Sequence, residues 1–161
     1  MQPGVAQPRT IVVPDRLAYR LTRFGLARAG TVHTHVVTLP ALASQLAGGL
    51  LRAASNLDVL AALRAGKLPT LTAFGAVAQL PGFIRAAASS VQTVWESGET
   101  PNSHPDSERW ADIWRLAQHV TAHLPPGTVP LPTLVAEALA RAEFAPILTG
   151  PVHIERAGSI A

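Results

Sequence analysis

The sequence predicts an α/β fold in which a small parallel sheet is combined with a mainly helical insertion. The order strand, helix, strand, helix fits into residues 10–47 with almost no spare sequence, which is typical of a βαβα unit. Ile11 to Val13 is a short run of apolar, β-branched residues, as expected for a strand buried on both faces of a parallel sheet. Most of the later chain has helical periodicity instead.

The first helix is predicted to begin just after the first strand. Pro14 breaks the strand, and Asp15 can accept a hydrogen bond from the backbone of the first turn as the N-cap. The apolar positions Leu17, Leu21 and Phe24 recur at the helical spacing. We therefore expect these three side chains to pack back onto the sheet.

Arg16, Arg20 and Arg23 form a second stripe on this helix. Charge is uneven along the chain: residues 1–95 carry nine basic and two acidic side chains, whereas residues 96–161 carry four basic and eight acidic ones. A basic surface is typical of proteins that contact phosphate groups, and an acidic half would face away from nucleic acid or toward a basic partner. The alternative is that both are solvated faces of amphipathic helices, and both interpretations stay open here.

The second strand and second helix follow directly. Gly30 marks a turn, and Val32 to Val37 has the composition of a strand. Thr38 can act as the N-cap of the next helix. The apolar positions of that helix are Leu42, Leu46 and Leu50.

The remaining sequence predicts helices, one polar connector and a final strand. Residues 97–107 (SGETPNSHPDS) are rich in turn-forming residues and are predicted to be exposed. The predicted organisation is a flexible N-terminus at 1–9, a βαβα core portion at 10–56, a helical insertion at 57–96, an exposed loop at 97–107, and helices with a final strand returning to the core at 108–161.

Two pairs of side chains permit sharper chemical interpretations. His119 and His123 stand at i, i+4 on a predicted helix, a spacing that lets two imidazoles share a metal. No glutamate stands between them and the sequence assigns no third ligand, so we predict no metal site. Trp110 and Trp114 have the same spacing and could stack on bases, although an aromatic face at this spacing is more often part of a core.

Two short motifs give the chain a resemblance to a known family. Val13-Pro14-Asp15-Arg16 follows the first strand, and Thr38-Leu39-Pro40-Ala41-Leu42 opens the second helix. In this arrangement the chain resembles the N-terminal part of AddB-type subunits of bacterial helicase-nuclease complexes, which are RecB/UvrD-like helicase-exonuclease proteins. Pro40 stands where many relatives carry a histidine, so a DNA contact by that imidazole is not expected.

The resemblance continues more weakly along the chain. Residues 80–84 (LPGFI) resemble the accessory helical insertion of the family, and residues 151–154 (PVHI) resemble the strand that opens its next block. The implied fold is a partial RecA-like (P-loop NTPase-like) parallel sheet with a mainly helical insertion. The implied DNA-binding residues are Arg16, Arg20, Arg23 and Thr38.

The catalytic motifs of this family are not found in the sequence. A phosphate-binding loop requires G-x-x-x-x-G-K-(S/T), and the ten residues before Ile11 leave no room for one ahead of the first strand. The nearest approach is AALRAGKL at residues 61–68, where we expect Gly66 to end a helix instead. Pro105-Asp106 is not followed by the E-x-K or D-x-K of a nuclease. We therefore expect no cofactor, no catalytic residue and no activity of this chain alone, although the family it resembles consists of ATP-dependent helicase-exonucleases.

These observations favour a non-catalytic, DNA-contacting and partner-contacting portion of a helicase-nuclease (AddAB-like) protein in double-strand-break repair. The expected partners are single-stranded DNA and a helicase-nuclease partner subunit. The alternative is a small helical protein-interaction module with no nucleic-acid role. No apolar run reaches the ~18 residues of a membrane span, no hydrophobic signal core is present and cysteine is absent, so we expect no membrane association and a cytoplasmic location.

Overall fold

The computed structural model describes residues 8–144 and 150–155, except for the side chain of Phe144. The chain divides into two compact units, with the boundaries at residues 50/51 and 134/135. We call residues 1–50 with 135–161 the sheet unit and residues 51–134 the helical unit. The α/β class is confirmed, as is a small parallel sheet of three strands.

The strands and helices alternate at first, and helices then predominate. In chain order they are β1 Arg9–Val13, α1 Arg16–Arg28, β2 Thr34–Thr38, α2 Leu39–Leu46, β3 Arg52–Ala53, α3 Asn56–Arg64, α4 Phe83–Ser97, α5 Glu108–His123, β4 Thr128–Val129, α6 Leu131–Arg141 and β5 Val152–Ile154. In the part of the chain that the structure describes, no helix is both long and apolar enough to cross a bilayer.

The sheet has the order β2-β1-β5, with all three strands parallel. Alternate residues of β1 point to opposite faces, as the pleat of a strand requires. Ile11 and Val13 pack with Ala18 of α1 on one face, whereas Val12 packs with Leu42 of α2 on the other. The two helices therefore cover opposite faces, and β1 is buried between them.

The orientation of α1 differs from the sequence prediction. Leu17, Leu21 and Phe24 do not pack onto the sheet, because they are 66%, 47% and 63% exposed. Ala18 is buried in their place, with Leu26 packed beside it. Successive residues of a helix are about 100° apart, so the leucine stripe, formed by Leu17, Leu21 and Phe24, lies on the flank next to the buried flank at Ala18. The periodicity of apolar residues was thus a correct helix indicator but a wrong indicator of the buried face.

Two element boundaries also differ from the prediction. The second strand begins at Thr34 rather than Val32, because His33 has a φ of 61° and interrupts the extended backbone. The second helix ends at Leu46, where two glycines with positive φ follow within three residues. Leu50 therefore lies outside the helix and is 86% exposed.

In the helical unit, α3, α4 and α5 surround a continuous apolar core. The most deeply buried side chains of this core come from all three helices: Val59, Leu63, Val91, Leu116 and Val120. The short strands β3 and β4 pair in parallel where the chain enters and leaves the unit. The beginning and the end of the helical unit thus lie side by side.

One buried carboxylate fixes the segment between α3 and α4. Asp112 of α5 is fully buried and accepts hydrogen bonds from the backbone N–H groups of Thr72, Ala73 and Phe74 at 2.8–3.0 Å. Arg115 donates to the same carboxylate at 2.6 Å. Burial alone would raise the pKa of Asp112, but the three backbone donors and the guanidinium outweigh it, so this pKa is lowered.

The start of α3 is fixed by a second carboxylate. Asp58 and Ser55 form a reciprocal capping box, and Arg52 of β3 pairs with both oxygens of Asp58 at 2.7 and 2.8 Å. The guanidinium and the capping hydrogen bonds hold the pKa of Asp58 far below its usual range. This pair joins the first strand of the unit to its first helix.

The segment between α4 and α5 is exposed and has its own hydrogen bonds. Thr100 and Ser103 bond to each other around a short 3-10 turn, and Glu99 pairs with His104 at 3.0 Å. The indole of Trp110 donates to the carbonyl of Thr100 at 3.2 Å, which ties the segment to α5.

Candidate nucleic-acid interface

The strongest candidate site lies where β1 and β2 end and their helices begin. Asp15 is the N-cap of α1, and its carboxylate accepts from the backbone N–H of Ala18 at 2.8 Å. This cap starts the helix immediately after the strand. Arg16 is therefore presented in the first turn, exposed, and close to the carboxyl end of the sheet.

Thr38 ends β2 and occupies the N-cap position of α2, as predicted, but its hydroxyl does not cap the helix. The cap oxygen of a helix accepts from the second or third helical N–H. Pro40 supplies the second helical position and has no N–H to donate. Within residues 8–144 and 150–155 the Thr38 hydroxyl has no hydrogen-bond partner, so it is available to a ligand.

Arg16 and Thr38 line the same cleft, which has a volume of about 340 Å³. The cleft runs along β2, which is an edge strand. The backbone N–H of Arg9 donates to the carbonyl of His33, so the backbone groups of the odd-numbered residues of β2 point toward β1. The backbone N–H and C=O groups of Val36 and Thr38 therefore point the other way, toward this edge. The other lining residues come from β2, α1 and α2: Tyr19, His35, Val37, Ala41 and Gln45.

Tyr19 supplies an aromatic ring to the cleft, and Arg23 holds that ring in place. The Arg23 guanidinium donates to the Tyr19 hydroxyl at 3.0 Å and lies 5.5 Å from the ring centroid. The ring also packs against the core beneath α1. Arg23 therefore belongs to the cleft through Tyr19 rather than by lining it.

The structure brings together three of the four DNA-binding residues predicted from the sequence. Arg16 and Thr38 line the cleft directly, and Arg23 contacts its wall. Arg20 is exposed on α1 but does not line the cleft. The fourth arginine of α1, Arg28, lies over Phe24 on the other flank of the helix, at 5.7 Å from the ring centroid.

Two residues of the cleft were not predicted from the sequence. Tyr19 stands three residues after Arg16 and four before Arg23, and this spacing places all three on neighbouring positions of one helix. That pattern is the indication that could have identified it. Gln45 lies one turn after Ala41 in α2, and its Oε1 is buried without a hydrogen-bond partner in the described structure. Nothing in the sequence marked Gln45.

The electrostatics of this region favour anions. Residues 8–50 carry five arginines and a single acidic side chain, Asp15, whose carboxylate is engaged in capping α1. Arg16 and Arg20 have no ion pair among the described residues. A second carboxylate, that of Glu155, lies against α1 and accepts a hydrogen bond from the Thr22 hydroxyl at 3.4 Å, but it forms no ion pair with Arg16 or Arg20, so both guanidiniums are available to phosphate groups.

The histidine pair of α5 has its ring nitrogens directed to backbone groups. His119 Nε2 lies 3.1 Å from the carbonyl of Ala65, and His123 Nδ1 lies 2.8 Å from the carbonyl of His119. The two rings face each other with centroids 4.2 Å apart. Over the described ranges, no group of three His, Cys, Asp or Glu side chains could hold a metal ion.

The tryptophans lie partly buried in the helical unit. Trp95 and Trp114 pack against its core, and Trp110 makes edge contacts with Trp114 and His104. These contacts favour the structural interpretation of the Trp110 and Trp114 spacing, although the buried Trp114 Nε1 has no hydrogen-bond partner among the described residues.

No protein-family model matches this sequence, and a comparison with curated proteins gives no significant match. Function is therefore inferred from the residues and geometry of the chain itself.

Proposed function

We propose that this chain is a non-catalytic, DNA-contacting portion of a helicase-nuclease (AddAB-like) protein that acts in double-strand-break repair in the cytoplasm. The sheet unit belongs in this proposal to a partial RecA-like fold, and the cleft along β2 binds the backbone of single-stranded DNA. The chain contacts a helicase-nuclease partner subunit, which supplies ATP hydrolysis.

The observation that carries the proposal is the convergence of Arg16 and Thr38 on one cleft from two different elements. A guanidinium and a hydroxyl are the groups that proteins commonly use to hold phosphate oxygens. Tyr19 adds an uncharged aromatic wall to the cleft, and since its ring already packs against the core and against Arg23, a base would contact the part of the ring that faces the cleft. The parallel sheet with helices on both faces supports the RecA-like part of the proposal. In open parallel sheets of this kind, ligands bind at the carboxyl ends of the strands, which is where Arg16 and Thr38 lie.

The test is the salt dependence of binding to a single-stranded oligonucleotide. If Arg16, Arg20 and Arg23 all contact phosphates, replacing the three together with Ala should lower the slope of log affinity against log salt by roughly two to three units; if only Arg16, which lines the cleft, does so, the fall should be about one unit. The matched control is Arg28→Ala, on the same helix but on the other flank. An unchanged slope in the triple variant would contradict the proposal.

Two further substitutions separate the cleft from general surface charge. Thr38→Val keeps the shape of the side chain but removes the hydroxyl, and we expect affinity to fall about fivefold for the loss of one hydrogen bond. Tyr19→Ala is expected to weaken binding with little change in the salt slope, because the tyrosine side chain carries no charge and releases no counterions. Equal affinity of both variants and the wild-type chain would place the DNA elsewhere.

The alternative function, a protein-interaction module, is favoured by one feature of the helical unit. A cleft of about 200 Å³ lies between α4, α5 and the segment before α4, and its walls are almost wholly apolar: Phe74, Val77, Phe83, Ala86, Ala87, Ser90, Ile113 and Leu116. An apolar side chain of a partner would fit this volume. Failure to bind DNA at low salt, together with the capture of a partner that Ile113→Glu abolishes, would favour this second function.

A further inference from the structure

The charges of the helical unit are separated between its two ends. Between Asp58 and Glu96 the sequence contains three basic residues, Arg64, Lys67 and Arg85, and no acidic one. Four of the six acidic side chains of the unit stand instead at the end of α4, in the connector and at the start of α5, where Arg109 is also found: Glu96, Glu99, Asp106 and Glu108.

The contacts of the helices place these groups at opposite ends of the unit. The carbonyl of Ala65, just after α3, lies 3.1 Å from His119 in the last turns of α5. Arg64 at the end of α3 and Ile84 in the first turn of α4 line one cleft. The end of α3, the start of α4 and the end of α5 therefore form the basic end, and the 97–107 connector lies at the acidic end.

An open cleft of about 580 Å³ lies at the basic end. Its charged wall consists of Arg64 and Lys67, both exposed and without an ion pair among the described residues. Polar side chains of Thr70 and Gln79 also line it. The carboxylate of Asp112 bonds to this segment, but it is buried and already paired with Arg115.

Residues 61–68, several of which line this cleft, are also the part of the sequence most similar to a phosphate-binding loop. The structure excludes that geometry, because Gly66 follows the C-terminal end of α3 with a φ of 69°. The last carbonyls of a helix, not its N–H groups, converge there, and they repel anions. Any phosphate in the cleft must therefore be held by the side chains of Arg64 and Lys67.

We propose that this cleft is a second phosphate-binding site, in which Arg64 and Lys67 hold the backbone of single-stranded DNA. It would serve the ligand proposed above for the sheet unit, and it depends on that proposal for the identity of the ligand. The helical unit is then a second DNA-contacting surface rather than a spacer, and the acidic end is the part that faces away from DNA.

The first experiment uses the wild-type chain. Lys67 is the only lysine, so an amine-reactive reagent labels one side chain, and peptide mass spectrometry reads its labelling directly. We expect a single-stranded oligonucleotide to slow the labelling of Lys67 at least threefold, and added salt to restore it. Equal labelling with and without oligonucleotide, under conditions where the DNA is bound, would overturn the proposal.

The second experiment compares salt slopes. Arg64→Ala with Lys67→Ala is expected to lower the slope by about one to two units, for the loss of two phosphate contacts. The matched control is Arg109→Ala, an exposed cation at the acidic end of the same unit. Tryptophan fluorescence shows whether each variant is folded, because all three tryptophans lie in the helical unit.

The two proposals fail separately. If the double variant keeps the wild-type slope while the Arg16, Arg20 and Arg23 triple variant loses it, the second site is wrong and the first stands. If only the double variant lowers the slope, the helical unit binds DNA and the cleft of the sheet unit does not. Absence of DNA binding by the wild-type chain at low salt would contradict both.

Discussion

The sheet unit and the helical unit differ in how completely they cover their own apolar residues. In the helical unit, three helices enclose one core that contains residues of each. In the sheet unit, α1 exposes Leu17, Leu21 and Phe24, and β5 exposes Ile154 at the edge of the sheet. Helices can close around a core, whereas a three-stranded sheet has two edges and needs further elements to cover them. The helical unit is thus the more self-sufficient of the two.

The largest expected effect is on the stability of the helical unit. Asp112→Ala leaves three backbone N–H groups and Arg115 without their acceptor, so the free energy of unfolding should fall by about 3 kcal/mol. Urea titration followed by tryptophan fluorescence measures this unit alone. Asp106→Ala, at an exposed carboxylate, is the control and should have little effect. A loss in Asp112→Ala as small as the one expected for the control would show that the buried carboxylate is dispensable.

Acid should remove much of the same stabilisation. Because the folded-state pKa values of Asp112 and Asp58 are lowered, their contribution is fully present above the unfolded pKa of about 4 and is lost as the pH falls through the folded values. We expect tryptophan fluorescence to report unfolding below pH 4. The Asp112→Asn variant should lose less stability on acidification than the wild-type chain. An equal loss would contradict the assignment.

The sheet unit should reveal its uncovered surface by association. We expect light scattering of the purified chain to give an average mass above the 16.9 kDa of one chain. Ile154→Lys combined with Leu21→Lys should bring the mass down to that of a monomer. Leu57→Lys, at an exposed leucine of the helical unit, should not. A monodisperse wild-type monomer with one cooperative melt would show that the sheet unit needs no partner.

The smallest effect is expected at the start of α3. Asp58→Ala removes the partner of Arg52 and one half of the capping box, and should lower the stability of the helical unit by about 1 kcal/mol. Part of that loss should disappear at high salt, since the partner guanidinium is half exposed. Glu96→Ala is the control and should have little effect. If Asp58→Ala instead lost as much stability as Asp112→Ala, the pair of Arg52 and Asp58 would do more than begin a helix.

Local patterns were sufficient to predict the order of elements in the sheet unit. The β-branched run before Pro14, the cap at Asp15 and the turn at Gly30 act within a few residues of themselves, so the sequence determines them without tertiary context. The face of α1 that is buried could not be predicted in the same way. Both the leucine stripe and the flank at Ala18 have helical spacing, and only packing against the sheet distinguishes them.

The candidate sites show the same limit: positions marked by local motifs were predicted, and positions set by tertiary contacts were not. Arg16 and Thr38 were predicted from motifs beside strand ends, and parallel strands bring such positions to one edge. Gln45 of the same cleft and the role of Asp112 were not predicted. Asp112 bonds to residues 38 to 40 positions away, and no local pattern in the chain encodes that separation.

The parallel pairing of β3 with β4 has a consequence for the history of the chain. Arg52 and Thr128 are register partners on adjacent strands, so the two backbones are about 5 Å apart. A segment whose ends meet in this way can be gained or excised in a single genetic event, because a linker of a few residues bridges the gap without rerouting the neighbouring strands. The helical unit therefore has the topology of a module whose two ends enter and leave at one place.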